Sequence, residues 1–216
     1  MNWEKFQKSN TNQLRSDRMT FTRTRFSSFE AYLTADVSDL PEGRCEYWDG
    51  ELIPVMSESL LNEAIANYLY LVLWQMGIPI DLISPGKVNI VVSGRPRTRF
   101  PDLTLLDDAH LVLMKSSTRL GATMPPPRLV VEVVSPGDEN SDNYTRDYHD
   151  KRDQYADRGI PEYWLIDPQR SWVMVGLLVA GRYEFTTFRG NQAIGSQVLP
   201  TLDLTVARVL ARGKQN

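Results

Sequence analysis

Arg128-Leu129-Val130-Val131-Glu132-Val133-Val134 is the stretch on which the reading of this chain turns. A leucine and four valines around a single carboxylate predict a central strand buried on both faces. Pro125-Pro126-Pro127 delivers the chain into it and Ser135-Pro136-Gly137 ends it. Because side chains alternate along a strand, Glu132 shares a face with Val130 and Val134, while Leu129, Val131 and Val133 take the other. A carboxylate among apolar neighbours is costly unless something offsets its desolvation. A metal ion or a buried Arg or Lys is the partner to look for.

Downstream, residues 144–158 have the composition of an exposed helix, closed by Gly159-Ile160-Pro161. Positions 144, 148, 151 and 155 fall on one face and read Tyr, Tyr, Lys, Tyr, whereas Arg146, Asp150, Asp153 and Asp157 lie elsewhere. Lys151 thus sits in the stripe expected to face the sheet. Residues 162–166 form the next strand, and 172–179 with 183–188, around Ala180-Gly181, form a C-terminal hairpin.

Upstream, residues 100–106 read as a strand entered through Pro101, with Asp102 at its start. Residues 87–92 read as a strand that pairs with it as a hairpin across a basic turn, 94–99. In residues 59–76 apolar side chains recur at three and four, giving a helix with one broad buried face. Asp49-Gly50 between 45–48 and 51–54 signals a two-residue hairpin, since a type I′ turn needs positive φ. Residues 27–34 form a short helix capped by Ser27 or Ser28. The order defines a mixed α/β domain.

With 216 residues, 42% of them hydrophobic, the chain is long enough for one sizeable core and is expected to form a single domain over 27–216. The formal charge of −3 excludes a global basic field, so a nucleic-acid partner has to be gripped locally. Residues 1–26 hold six basic residues against Glu4 and Asp17 and few apolar ones, the composition of a poorly ordered basic arm. One cysteine, Cys45, excludes an internal disulfide, and one cysteine with two histidines excludes the usual zinc sites. The most apolar stretch, 64–74, is interrupted by Asn67 and is far too short for a membrane span. A soluble cytoplasmic protein is expected.

Asp102 and Glu132, on strands that can lie side by side, suit one hard cation such as Mg²⁺ bound through oxygen with waters completing its shell. A lysine beside them donates a hydrogen bond and a charge to a phosphate oxygen or an attacking water. Each residue also has a structural reading: Glu132 as half of a buried ion pair, Asp102 as a strand-start cap, Lys151 as a side chain extending its head into water. Arg95, Arg97 and Arg99 alternate just before Asp102, where they either meet a phosphate backbone or merely solubilise a turn. His149 reads as exposed and His110 as a solvated loop residue, while Tyr163, Trp164 and Trp172 read as core.

Pro101-Asp102, Glu132, Leu-Val-Val-Glu-Val-Val-Ser-Pro-Gly (129–137) and Lys-Arg-Asp-Gln-Tyr-Ala-Asp-Arg-Gly-Ile-Pro-Glu-Tyr-Trp-Leu-Ile-Asp-Pro (151–168) together resemble the Uma family of restriction-endonuclease-like proteins, a domain of unknown function within the PD-(D/E)XK nuclease superfamily. The similarity runs from about residue 29 to 204 and takes in 45–52, where Cys45 stands at a position usually held by tyrosine. The resemblance implies a restriction-endonuclease-like α/β fold: a mixed central sheet, four-stranded at its core, flanked by helices, with N-terminal and C-terminal β-hairpins. It also implies Mg²⁺-dependent nuclease chemistry, with Mn²⁺ able to substitute, on DNA, and a homodimer. The lysine that the superfamily pattern expects two residues after the glutamate is Val134 here, and Lys151 is the candidate to fill its role from the following helix. Many family members carry a histidine in the helix after the early hairpin, where this chain has Asn62 and Glu63, so Glu63 and Glu46 stand as additional candidates near the metal.

The first expectation is therefore a metal-dependent endodeoxyribonuclease with Asp102, Glu132 and Lys151 as catalytic residues. The alternatives are a non-catalytic nuclease-fold module for nucleic-acid binding or assembly, and a hydrolase of smaller phosphate esters.

Overall fold

The computed structural model describes residues 24–55, 59–115 and 117–212. Helix α1 (Phe29–Thr34) is capped by the Ser28 side chain, which accepts from the Ala31 amide. Strands β1 (Cys45–Trp48) and β2 (Glu51–Pro54) form the expected hairpin, with Asp49 at φ 43° and Gly50 at φ 93° in its turn. Helix α2 (Leu60–Gln75) follows, then β3 (Ile83–Pro85), β4 (Asn89–Val91), β5 (Thr98–Arg99) and β6 (Leu103–Leu105). After α3 (Asp108–Leu113) and β7 (Arg119–Leu120) comes β8 (Leu129–Val133), the strand that carries Glu132. Helix α4 (Asp142–Thr145), a π-helical turn (Arg146–Asp150) and α5 (Lys151–Asp157) lead to β9 (Glu162–Asp167), β10 (Trp172–Val179), β11 (Arg182–Arg189) and α6 (Val206–Ala211).

Strand β8 lies inside a six-stranded sheet of order β11-β10-β9-β8-β6-β3. It pairs parallel with β9 and antiparallel with β6, so the sheet is mixed, and the C-terminal hairpin β10–β11 extends it beyond the smaller core that was expected. All five β8 residues are buried, as a run of apolar residues on both faces requires. A parallel pair needs a crossover, and α4, the π-helical turn and α5 supply it across one face. Helix α2 covers the other, with Leu69 and Leu73 packed near Leu103, Leu129, Val131 and Trp164. A second, smaller cluster of Phe29, Tyr32, Cys45, Tyr47, Leu52 and Val91 seats the N-terminal hairpin.

The structure corrects several expectations. Residues 87–92 and 100–106 do not form one hairpin: β4 pairs with β5 in a separate three-stranded sheet with β7, whereas β6 joins the main sheet. Phe100, Pro101 and Asp102 separate β5 from β6, and proline brings no amide hydrogen to a ladder. The buried face of α2 is centred on Asn62, Ile65, Leu69 and Leu73, and Leu60, at the start of that helix, is 85% exposed. The 144–158 helix begins earlier, at Asp142 under a Ser141 cap, and is not an exposed helix, since Asp147, Tyr148, Gln154 and Tyr155 are buried. His110 is not in a solvated loop but buried in α3, where its Nδ1 accepts from the Asp107 amide. Residues 1–23 of the basic arm lie outside the described residues. Its end packs against the hairpin: Arg25 bridges to Glu51 and the Phe26 amide donates to Gly50 O.

Leu103, wholly buried where β6 meets β8, reports on this packing. Leu103→Ala is expected to lower the unfolding free energy by about 2–5 kcal/mol, measured by urea denaturation. A loss below about 1 kcal/mol would mean that β6 is not packed as described.

Candidate active site

Glu132 is 1% exposed and points from β8 toward the crossover helix. One of its carboxylate oxygens accepts from Lys151 Nζ at 2.6 Å and the other from the Tyr155 hydroxyl at 2.5 Å. An ionised carboxylate has roughly four acceptor sites, so these two donors leave acceptor capacity on both oxygens. Burial pushes the Glu132 pKa up; the Lys151 charge opposes that shift and the Asp147 charge reinforces it.

Asp102 immediately precedes β6, and the register Leu103↔Val131 and Thr104↔Val130, continued by one residue, sets it opposite Glu132. Its Oδ2 accepts from the Val133 amide at 2.6 Å, taking the β8 donor just past the point where the β6 ladder begins. The strand-cap reading of Asp102 therefore holds for that oxygen. Asp102 is 6% exposed.

Lys151 reaches both Glu132 and Asp147, its Nζ lying 3.0 Å from Asp147 Oδ1. Burial alone would lower its pKa, but the charges of Glu132, Asp147 and Asp102 outweigh burial and Arg146, and the net direction is upward. Its ammonium is thus held charged in the interior rather than extended into water. Asp147 is 1% exposed and also receives the Arg146 guanidinium, at 2.9 Å on Oδ1 and 3.0 Å on Oδ2. Burial would raise the Asp147 pKa, yet Lys151 and Arg146 prevail and lower it.

Asp147 is the site residue that sequence reasoning passed over. Its signal was present, since an acid four residues before Lys151 and three after Tyr144 lies on the same broad face. The π-helical turn, in which the Lys151 amide bonds to Arg146 O, accompanies the inward placement of both Asp147 and Tyr148.

The remaining candidates divide. Glu46 is part-buried at the rim, paired at 3.3 Å with Arg99, whose Nε also donates to Gln154 at 2.7 Å. Glu63 is exposed on α2 and does not join the cluster; its neighbour Asn62 is buried and donates to Val133 O at 3.0 Å. The three arginines do not form one basic surface: Arg99 is buried, Arg97 stacks 4.0 Å over the Phe29 ring, and Arg95 pairs with Asp49 at the surface. His149 is exposed and lies beside Tyr144.

Among the described residues no three His, Cys, Asp or Glu side chains gather into a metal-holding group. The donor chemistry nevertheless fits a hard divalent cation: two buried carboxylates stand opposite each other, and Glu132 keeps acceptor capacity. Such an ion would depend on water for much of its coordination shell, as Mg²⁺ commonly does.

The mixed sheet, its crossover helix and the acids at the β6–β8 junction define a restriction-endonuclease-like fold. Residues 29–207 match the Uma2 family, described as "Putative restriction endonuclease", and the chain belongs to that family. A solved structure described as a "putative nuclease belonging to DUF820", from Anabaena variabilis ATCC 29413, superposes with a TM-score of 0.63. It is 15% identical, over 86% of this chain and 98% of that one, a likeness that carries the fold. No curated protein matches the sequence. Among the described residues no helix is long and apolar enough to cross a membrane.

The lowered pKa of Asp147 sets a pH dependence. A depressed folded-state value contributes stability that is present above the ordinary value of 3.8 and is lost as pH falls through the folded-state value. Asp147→Asn is expected to be less stable than the native chain at neutral pH and to lose less stability between about pH 5 and about pH 2. Urea midpoints across that range check this, and parallel curves for the two proteins would contradict it.

Proposed function

We propose that the protein is a metal-dependent endonuclease that hydrolyses DNA phosphodiester bonds, with Asp102, Glu132 and Lys151 as its catalytic residues. The observation that carries the reading is the buried contact between Glu132 and Lys151 at the strand end where Asp102 accepts from the Val133 amide. Family membership supports the same chemistry.

Asp102 and Glu132 would hold Mg²⁺, or Mn²⁺ in its place. Such an ion, when bound, supplies a Lewis acid and lowers the pKa of a bound water. Lys151, held charged before substrate arrives, donates to the attacking water or to a phosphate oxygen and opposes the negative charge that develops there. Tyr155 fixes the rotamer of Glu132 by donating to one carboxylate oxygen. Glu46 is held by Arg99 and is assigned no role in this reading.

A homodimer would present two such sites, one for each strand of a duplex. A reducing cytoplasm suits the free, buried Cys45.

A non-catalytic nucleic-acid-binding module is the second reading, favoured by Lys151 being closed into ion pairs with two acids. Cleavage separates the two. Supercoiled and linear DNA are expected to be cut only with Mg²⁺ or Mn²⁺, Glu132→Gln to abolish cutting, and Lys151→Met to lower kcat by about 10²–10³-fold. If native protein and both variants give the same trace, catalysis on DNA is ruled out; salt-dependent binding without product would then establish the module.

A further inference from the structure

We infer that Asp147 is the positioning residue that aims Lys151 into the site, independently of Glu132. The inference rests on the reading of Lys151 as the residue that meets the phosphate.

The geometry separates Asp147 from the other acids. Its Oδ1 accepts from Arg146 Nε at 2.9 Å and lies 3.0 Å from Lys151 Nζ as an ion pair, and its Oδ2 accepts from Arg146 Nη2 at 3.0 Å and the Ser135 amide at 3.2 Å. Three hydrogen bonds and the Lys151 ammonium engage both oxygens of a carboxylate that has roughly four acceptor sites, which leaves Asp147 little to offer a cation. Asp147 is thus a fixed post rather than a ligand. Two parallel guanidinium bonds set its plane, and the Ser135 amide ties it to the end of the strand that carries Glu132.

Glu132 faces two demands, since the same carboxylate would bind a cation and restrain Lys151. Oxygen capacity turned to a cation is withdrawn from the lysine. Asp147 gives Lys151 a second anionic anchor that does not compete for that cation, four residues back on the same helical segment.

Local backbone points the same way. The π-helical turn 146–150 interrupts the α-helix immediately before Lys151 and holds Asp147 and Lys151 on the inward face. Such turns are rare and are found frequently at functional sites. A purely structural carboxylate in this fold looks different: Glu162, wholly buried, is satisfied by four neutral donors, from Trp164, Ser196, Gln197 and Val198, with no cation.

Two measurements test the inference. In cleavage kinetics, Asp147→Asn is expected to lower kcat about 10–100-fold with KM little changed, the usual cost of losing a partner that orients a site residue. In a Lys151→Met background the same change is expected to cost nothing further; additive losses would show that Asp147 acts on stability and not through Lys151. Without any metal or DNA, residue-resolved modification by an amine-directed acylating reagent is expected to label Lys151 severalfold faster in Asp147→Asn than in the native chain, with other lysines unchanged. An unchanged Lys151 rate would overturn the inference. Arg146→Gln, at a half-exposed position, loosens the post while keeping its charge and is expected to show a smaller shift in the same direction, which covers the case in which Asp147→Asn does not fold. If the native protein cuts nothing, the nuclease reading fails, while the labelling rate still decides the role of Asp147.

Discussion

A carboxylate and an ammonium in contact inside a protein set the terms for everything around them. Glu132 and Lys151 meet at 2.6 Å with 2% and 12% of their side chains exposed. Removing two charges from water costs several kcal/mol per ion, and mutual attraction offsets that only where further hydrogen bonds complete both groups. Tyr155 on one side and Asp147 with Arg146 on the other provide that completion. The resulting cluster holds more acid than base around Glu132 once Asp102 is included.

The fold exists in a form that brings these groups together. Parallel pairing of β8 with β9 forces the chain to cross a face of the sheet, and the crossover helix delivers Lys151 and Tyr155 over Glu132. Antiparallel pairing of β8 with β6 brings Asp102 to the opposite side of the same strand end. Three segments separated in sequence thus converge because one strand has a different kind of neighbour on each side. Helix α2 closes the arrangement through Asn62, whose amide binds Val133 O.

Much of this was legible in the chain because it depends on local pattern. The apolar run around Glu132 forced the question of its partner, the Tyr-Tyr-Lys-Tyr stripe turned Lys151 inward, and Asp49-Gly50 specified its hairpin. What escaped depends on distant partners or irregular backbone. Arg99 read as one of three arginines alternating in a basic turn, either on a phosphate backbone or in water, yet Gln154 and Glu46, 55 and 53 residues away, draw it inside. Asp147 lay among many polar helix residues and is singled out only by the turn and by Lys151. The split between β5 and β6 was hidden because Phe100-Pro101 reads equally well as a strand entry and as a transfer between two sheets.

We propose that Glu132 is buried in order to hold a cation together with Asp102. Crystals soaked in Mn²⁺, with anomalous scattering to locate the metal, test it directly. One anomalous peak is expected in contact with carboxylate oxygens of both Asp102 and Glu132, absent from Glu132→Gln crystals treated identically. A saturating soak that leaves no peak between these two residues, with Lys151 still clasping Glu132, would contradict it.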